Sequence, residues 1–238
     1  MGRSRGLDRS SESDWISIAD LMTGLMMIFL FIAIHFMNHL QVRDRQIQEI
    51  VVTYQALQED LYEDLRAEFE DDLPGWGAEL DRATLSVRFL EPKVLFRQGS
   101  SLVSPRFEAI LGDFFPRYIA LLRTDRYRNT IEELRIEGHT SSEWSRAVDS
   151  ETAYFRNLEL SQDRTRAVLE RCLSLVHGAE DRHWTRRFAT ANGLASSRLV
   201  RDPSGVENPA RSRRVEFRTK TAAERKVVEV LTALENPS

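Results

Sequence analysis

The chain has 238 residues, 29% of them charged, and a net charge of -4 at pH 7. Arginines interleaved with acids exclude the one-signed field that nucleic-acid binding needs, and a single cysteine, Cys172, excludes an intrachain disulfide. Once a membrane-length apolar run is set aside, the remaining length holds one ordinary domain and a connector.

Residues 1–14 carry Arg3, Arg5 and Arg9 ahead of that run. Lys and Arg set topology, so this segment is predicted to be cytoplasmic and everything after about residue 38 to lie across the membrane. The run itself, Trp15 to Met37, would be roughly 34 Å long as a helix, enough to cross a hydrocarbon core. It exceeds the core of a signal peptide and lacks a small-residue cleavage pattern, which predicts a retained anchor.

Within this run stands one acid, Asp20. A helical wheel places it on a stripe with Thr23, Gly24, Met27 and Phe31, a small and weakly polar face suited to another helix or a wet cavity. Two readings follow. Asp20 is an ion-binding carboxylate at a helix interface, kept despite its cost in lipid; or Ser17 and Asp20 form a capping box at a helix start. His35 and His39, one turn apart at the far end, are either proton acceptors at the outer mouth or ordinary interfacial residues.

Residues 38–78 form a helical connector. Leu40, Ile47, Ile50, Tyr54, Leu57 and Leu61 give a short heptad seam, interrupted by Arg43 and then by Asp64 and Glu68. A coiled coil between two copies accounts for it best; the alternative is an amphipathic helix lying on its own domain. Ten acids against three arginines between Arg43 and Asp72 read as a solvated face. Leu73-Pro-Gly-Trp-Gly77 breaks the helix and predicts the domain boundary.

Residues 79–238 alternate strand and helix signals. Strands are predicted at Leu85–Phe89, Lys93–Phe96, Leu134–Gly138, Trp184–Ala189 and around Val215–Phe217, with helices at Arg106–Leu122 (bent or broken at Pro116), Leu158–Val176 and Ala222–Leu234. The predicted class is α+β, a sheet covered on one face. Cys172, among Val168, Leu169, Leu173 and Val176, reads as a buried structural thiol. There is no phosphate loop, no Gly-x-Ser-x-Gly and no Cys/His cluster, and His177 and His183 lack ligand spacing. The expectation is no enzyme, no catalytic residue, no metal and no cofactor.

The chemistry concentrates after Ile136. Gly138-His139-Thr140 leaves a strand, and Asn157-x-x-Leu160-Ser161-x-x-Arg164 is predicted to open a helix, bringing a guanidinium and a half-positive helix end to one concave site for a carboxylate. Arg213 and Arg214 enter the last strand. These motifs, with Ser212-Arg213-Arg214-Val215, resemble the OmpA-like peptidoglycan-binding domain over about residues 80 to 220. The resemblance implies an OmpA-like α/β sandwich that grips the peptide stem of peptidoglycan. It places Arg164 on the stem carboxylate, Asn157 and Leu160 around the pocket, and His139, Thr140, Ser141, Ser161, Arg213 and Arg214 beside them. Two positions depart from the pattern. Ser141 stands where the family has an Asp that meets the amine of diaminopimelate, with Glu143 the candidate substitute, and Ser212 stands where the family has Asn.

The first segment adds to this. Trp15-Ile-Ser-x-Ala-Asp20-Leu-Met-Thr23 is similar to the membrane helix of MotB-type stator subunits, and the whole combination resembles the ZorB family of Zorya phage-defence systems. By that resemblance Asp20 carries a proton or sodium ion. The resemblance also implies a homodimer inside a ring, pentameric by analogy, of ZorA-like multi-span subunits in the bacterial inner membrane, with the C-terminal domain in the periplasm. A flagellar stator subunit and a passive cell-wall tether that conducts nothing are the alternatives.

Overall fold

Helix α1 (Asp8–Phe69) runs without interruption through the apolar segment and the connector. The computed structural model describes residues 8–90, 95–97, 99–144, 148–222 and 232. It divides into two units, Met1–Val52 with Glu229–Ser238 and Thr53–Val228, each described by itself.

In the first unit, Ile18–Gln41 is long and apolar enough to span a membrane. Its large apolar side chains are exposed, a surface that lipid or other helices must cover. The capping-box reading of Ser17 and Asp20 fails here. The helix begins at Asp8, about three turns before Asp20, so no unpaired helix N–H is left for that carboxylate to cap. Thr23 Oγ1 donates to Ala19 O at 2.8 Å, satisfying its hydroxyl along the helix.

The second unit takes in the last turns of α1. Leu57 packs against the core, and Leu61, Leu65 and Phe69 are fully buried in it. Four apolar residues at four-residue spacing make one stripe, and that stripe covers the chain's own domain. From Leu57 on, therefore, the coiled-coil reading of the connector is replaced by the amphipathic-helix one. The acids on its flanks are used as well: Asp64 Oδ2 accepts from the Tyr127 hydroxyl at 2.5 Å, and Glu68 Oε1 accepts from Arg117 Nε at 2.7 Å.

After α1 come a short helix, α2 (Leu73–Trp76), ended by Gly77 at φ 66°, and the strands β1 (Ala78–Asp81) and β2 (Ser86–Phe89). Helix α3 (Pro105–Leu122) is capped by Ser104, whose hydroxyl accepts from the Phe107 N–H at 3.1 Å, and it continues through Pro116 instead of breaking there. The long strand β3 (Ile131–His139) leads into α4 (Ser150–Leu175). Helix α5 (Ala179–Phe188) leads directly into β4 (Ala189–Gly193), and one turn, α6 (Pro209–Ser212), precedes β5 (Arg214–Thr221).

Two predicted strands need correction. Trp184–Phe188 lies in helix α5, where Glu180 and Asp181 in the first turn and Arg186 and Arg187 in the last suit the helix dipole and outweigh a short alternation. Of Lys93–Phe96, the described Phe96 makes only an isolated bridge to Val103. The closing helix predicted from Ala222 falls, from residue 223 on, outside the described residues apart from 232.

The sheet order is β1-β2-β5-β3-β4, antiparallel except for the β3–β4 pair. Val87, Phe89, Leu134, Ile136, Val215 and Phe217 turn to the core, where Phe114 of α3 meets Phe69, Phe89 and Phe217 at ring distances of 5.2, 5.2 and 5.1 Å. Each such ring contributes about 1.5–3 kcal/mol by leaving water. Cys172 is fully buried, and burial pushes its thiol well up, as expected of an inert core residue. Opposite this apolar face, β1, β2, β5 and β3 present charges: Glu79 and Asp81, Arg88, Glu216, Arg135 and Glu137. The fold is α+β, the predicted class.

Candidate functional site

Helix α4 starts earlier than its apolar spacing suggests. Asp149 caps it, its Oδ1 accepting from the N–H groups of Glu151 at 3.1 Å and Thr152 at 2.9 Å. Asn157 and Arg164 therefore lie well inside the helix, and the predicted half-positive helix end beside Arg164 does not exist. Asn157, Ser161 and Arg164, at i, i+4 and i+7, share one buried face. That face reaches the ends of β3 and β4 because two glycines allow it. A Cβ on Gly138 would stand 2.7 Å from Thr165 Cγ2 and 2.9 Å from Ser161 O, and one on Gly193 would fall 2.6 Å from the Gln162 Cα. The glycine of the Gly-His-Thr motif serves this close approach.

Arg164 is 9% exposed. Its Nε donates to Ser100 O at 2.9 Å, and the guanidinium lies 4.8 Å above the Phe96 ring. Among the described residues no carboxylate pairs with it. Burial first, and then the nearby Arg213 charge, push its pKa down to about 10, which still leaves it cationic at neutral pH. Arg213 is half-buried; its Nη1 donates to Ser141 Oγ at 3.3 Å, and among the described residues it too lacks a carboxylate. A buried cation without a counterion costs free energy, and a second cation beside it adds to that cost. Together they offer a site for an anion, suited to two parallel hydrogen bonds from one guanidinium.

The other predicted residues divide by task. Asn157 Nδ2 donates to the carbonyls of Ser141 at 3.3 Å and Glu143 at 3.4 Å, which fixes the loop leaving β3. Ser161 Oγ accepts from the Ala195 N–H at 3.1 Å, and Ala195 O accepts from the Thr140 N–H at 2.9 Å. Ala195 is thereby held at φ 48°, in the left-handed region, and both hydroxyl residues serve to shape the site. Leu160 is half-buried on the same helix face. Phe96, Gly138, His139, Ser161, Arg164 and Arg214 line a shared cleft, but Arg214 is already engaged by Glu216 and by the carbonyls of Arg198 and Ser212.

His139 belongs to a buried charged cluster. Its Nε2 lies 3.6 Å from both Glu137 Oε2 and Glu216 Oε1, and the ligand atoms of the three residues lie within 4.8 Å of one another. This is a possible metal trio by distance alone. Charge argues against it: Arg198 pairs with Glu137 at 3.1 Å, and Arg214 and Arg88 pair with Glu216 at 2.5 and 3.3 Å. Arginines already neutralise the carboxylates, so a dication would enter a cationic field. Burial pushes the His139 pKa down, leaving the ring neutral. Burial pushes Glu137 and Glu216 up, but hydrogen bonding from His139 and the neighbouring charge for Glu137, and the Arg214 charge for Glu216, outweigh it and hold both below their ordinary value.

Sequence reasoning missed Glu216, Arg88 and Arg198 in this cluster, Ser100 and Ala195 beside the cleft, and Glu207, which accepts from Ser142 on the loop leaving β3. Glu137, Glu216 and Arg88 shared one signal, since the alternations of Leu134 with Ile136, Val215 with Phe217 and Val87 with Phe89 assign each to the face opposite the core, and Arg198 carried none. Glu143, the candidate substitute for the family Asp, engages Asn157 through its backbone carbonyl while its side chain is exposed.

No family model matches the chain. Over 224 residues it is 43% identical to the Zorya protein ZorB of Escherichia coli, covering 94% of each chain. Among solved structures, a MotB-like protein from Desulfovibrio vulgaris aligns with a TM-score of 0.47 and 26% identity over 73% of this chain and 94% of that one. The cell wall anchor of the T6SS from Pseudomonas aeruginosa aligns with a TM-score of 0.44 and 21% identity over 66% of this chain and 96% of that one. The match to ZorB, at this identity and over nearly the full length of both proteins, places the chain in the ZorB family of Zorya proteins.

Proposed function

We propose that this chain is the ion-carrying, wall-anchored subunit of a Zorya-type defence motor in the bacterial inner membrane. Its N-terminus faces the cytoplasm and its C-terminal domain the periplasm, as Arg3, Arg5 and Arg9 ahead of the span favour. Two copies stand inside a ring of ZorA-like multi-span subunits, an arrangement that rests on family analogy. The C-terminal domain holds a peptide-stem carboxylate of peptidoglycan. The observation that carries this reading is Arg164, a nine-tenths buried guanidinium with no carboxylate partner among the described residues, standing beside Arg213.

The conducting half rests on Asp20. It lies inside a membrane-length helix, away from any cap duty, on the small face with Thr23 and Gly24. Turned toward a partner helix, it takes up a proton or sodium ion from one side and releases it to the other when a neighbour moves.

Two variants test the reading in cells challenged with phage. Asp20→Asn is expected to insert, assemble and cosediment with peptidoglycan sacculi, yet lose ion flux and protection. Arg164→Ala is expected to insert and assemble but lose cosedimentation and, with it, protection. Full ion flux and protection from assembled Asp20→Asn would remove the motor account and leave a tether, and undiminished cosedimentation of Arg164→Ala would remove the anchoring account.

A further inference from the structure

The loop that leaves β3 touches opposite charges at consecutive residues. Ser141 accepts from Arg213 Nη1 at 3.3 Å, while the next residue, Ser142, donates its N–H to Glu207 Oε1 at 3.0 Å and its hydroxyl to Glu207 Oε2. Among the described residues Glu207 has no cationic partner, just as Arg164 and Arg213 have no anionic one. An ionised carboxylate offers about four acceptor positions, and Ser142 occupies two of them. One uncompensated guanidinium, Arg213, and one uncompensated carboxylate, Glu207, therefore touch successive residues of this loop, and Arg164, held at Ser100 and Phe96, stands near enough to Arg213 to feel its charge. A dianion would meet repulsion from Glu207 and a simple cation would meet it from the arginines, so the arrangement selects a ligand carrying both signs.

We propose that Glu207 is the specificity-determining residue that accepts the free ammonium group of a diamino acid whose carboxylate lies on Arg164 and Arg213. This rests on the wall-anchoring reading above and adds to it the residue that replaces the carboxylate missing at Ser141. Glu143, the other candidate, meets the site through its backbone carbonyl while its side chain is exposed. A purely structural Glu207 would only pin the loop at Ser142. The two roles differ in one respect: a pin acts equally on every ligand, whereas an ammonium acceptor acts only on ligands that carry the ammonium.

The test uses the full chain in detergent and two probes. One is the tripeptide L-alanyl-γ-D-glutamyl-meso-diaminopimelate with its side-chain amine free, and the other is the same tripeptide with that amine acetylated, both titrated calorimetrically. The unmodified chain is expected to bind the free-amine probe about tenfold tighter, the scale of one charge-assisted hydrogen bond. Glu207→Gln, which keeps an acceptor for the Ser142 N–H, is expected to erase that preference and leave affinity for the acetylated probe unchanged. Ser142→Ala, which loosens the pin, is expected to keep the preference. A preference retained in Glu207→Gln, or an equal loss of both probes, overturns the assignment while leaving the anchoring reading in place. If the unmodified chain binds neither probe, both fall.

Discussion

Gly138 and Gly193 set how near α4 can lie to the sheet, and so where Arg164 stands. Around Gly193 the space a Cβ would need is taken by the backbone of Gln162, with Ser161 C also only 2.8 Å away. Helix backbone cannot yield as a side-chain tip can. Around Gly138 one obstacle is the Thr165 methyl, which can rotate, and the other is Ser161 O, which cannot. Gly193→Ala is therefore expected to cost about 3 kcal/mol or more, above the usual overpacking range, and Gly138→Ala about 1–3 kcal/mol. Thermal unfolding of the full chain should place both midpoints below that of the unsubstituted protein, with Gly193→Ala lower. An unchanged midpoint for Gly193→Ala would mean that helix and strand are not packed this closely. Neither role was legible beforehand: Gly138 was visible as part of a motif without its reason, and Gly193, in a plain Ala-Asn-Gly stretch, showed no signal of close packing.

At the scale of elements, the polar faces of β2, β3 and β5 act as one unit. His139, Glu137 and Glu216 are nearly completely buried among Arg88, Arg198 and Arg214, with His139 Nε2 3.6 Å from a carboxylate oxygen of each acid. The pH dependence follows from the directions of their shifts. Burial lowers the His139 pKa from 6.5, so below that pH the unfolded chain binds a proton that the folded one refuses, and stability falls as pH falls. Glu137 and Glu216, held below 4.5 against the effect of burial, repeat the same sign at lower pH. Urea midpoints of the full chain should drop in two stages, the first beginning near pH 6.5 and the second below pH 4.5. His139→Gln should lose the first stage and keep the second; a first stage that persists in that variant would assign it to another group.

The elements also show why some of the fold was readable and some was not. Leu134 and Ile136 alternate because one face of β3 is apolar, and such a pattern shows in sequence. The first turns of α4 bury only Ala153 before Asn157, so no apolar period marks them, and the start depends on the Asp149 cap. Charged residues on a buried sheet face are harder still, since acids and arginines read singly as surface, and only their three-dimensional pairing makes them interior.

At the scale of the whole molecule, the family resemblance was legible because motifs are local, but the limit of the folded domain was not. The break at Leu73–Gly77 is a clear signal in sequence, but α1 has already ended at Phe69 and this stretch forms the short helix α2, so it is not the edge of a core. Leu61, Leu65 and Phe69 lie before it and are fully buried in the second unit. Three such side chains contribute about 1.5–3 kcal/mol each, against a total domain stability of about 5–15 kcal/mol. Trimming to residues 79–228 would also remove Trp76, whose ring lies 6.0 Å from that of Phe114, and would strip Arg117 of Glu68 and Asp72. A fragment of residues 53–228 is therefore expected to unfold cooperatively and run as a compact species on size exclusion. The 79–228 fragment is expected to bind a hydrophobic dye and lose its near-UV circular dichroism, because Phe89 and Phe114 are left uncovered. Equal midpoints for the two fragments would show that the last turns of α1 rest on the domain without stabilising it, and would return them to the connector.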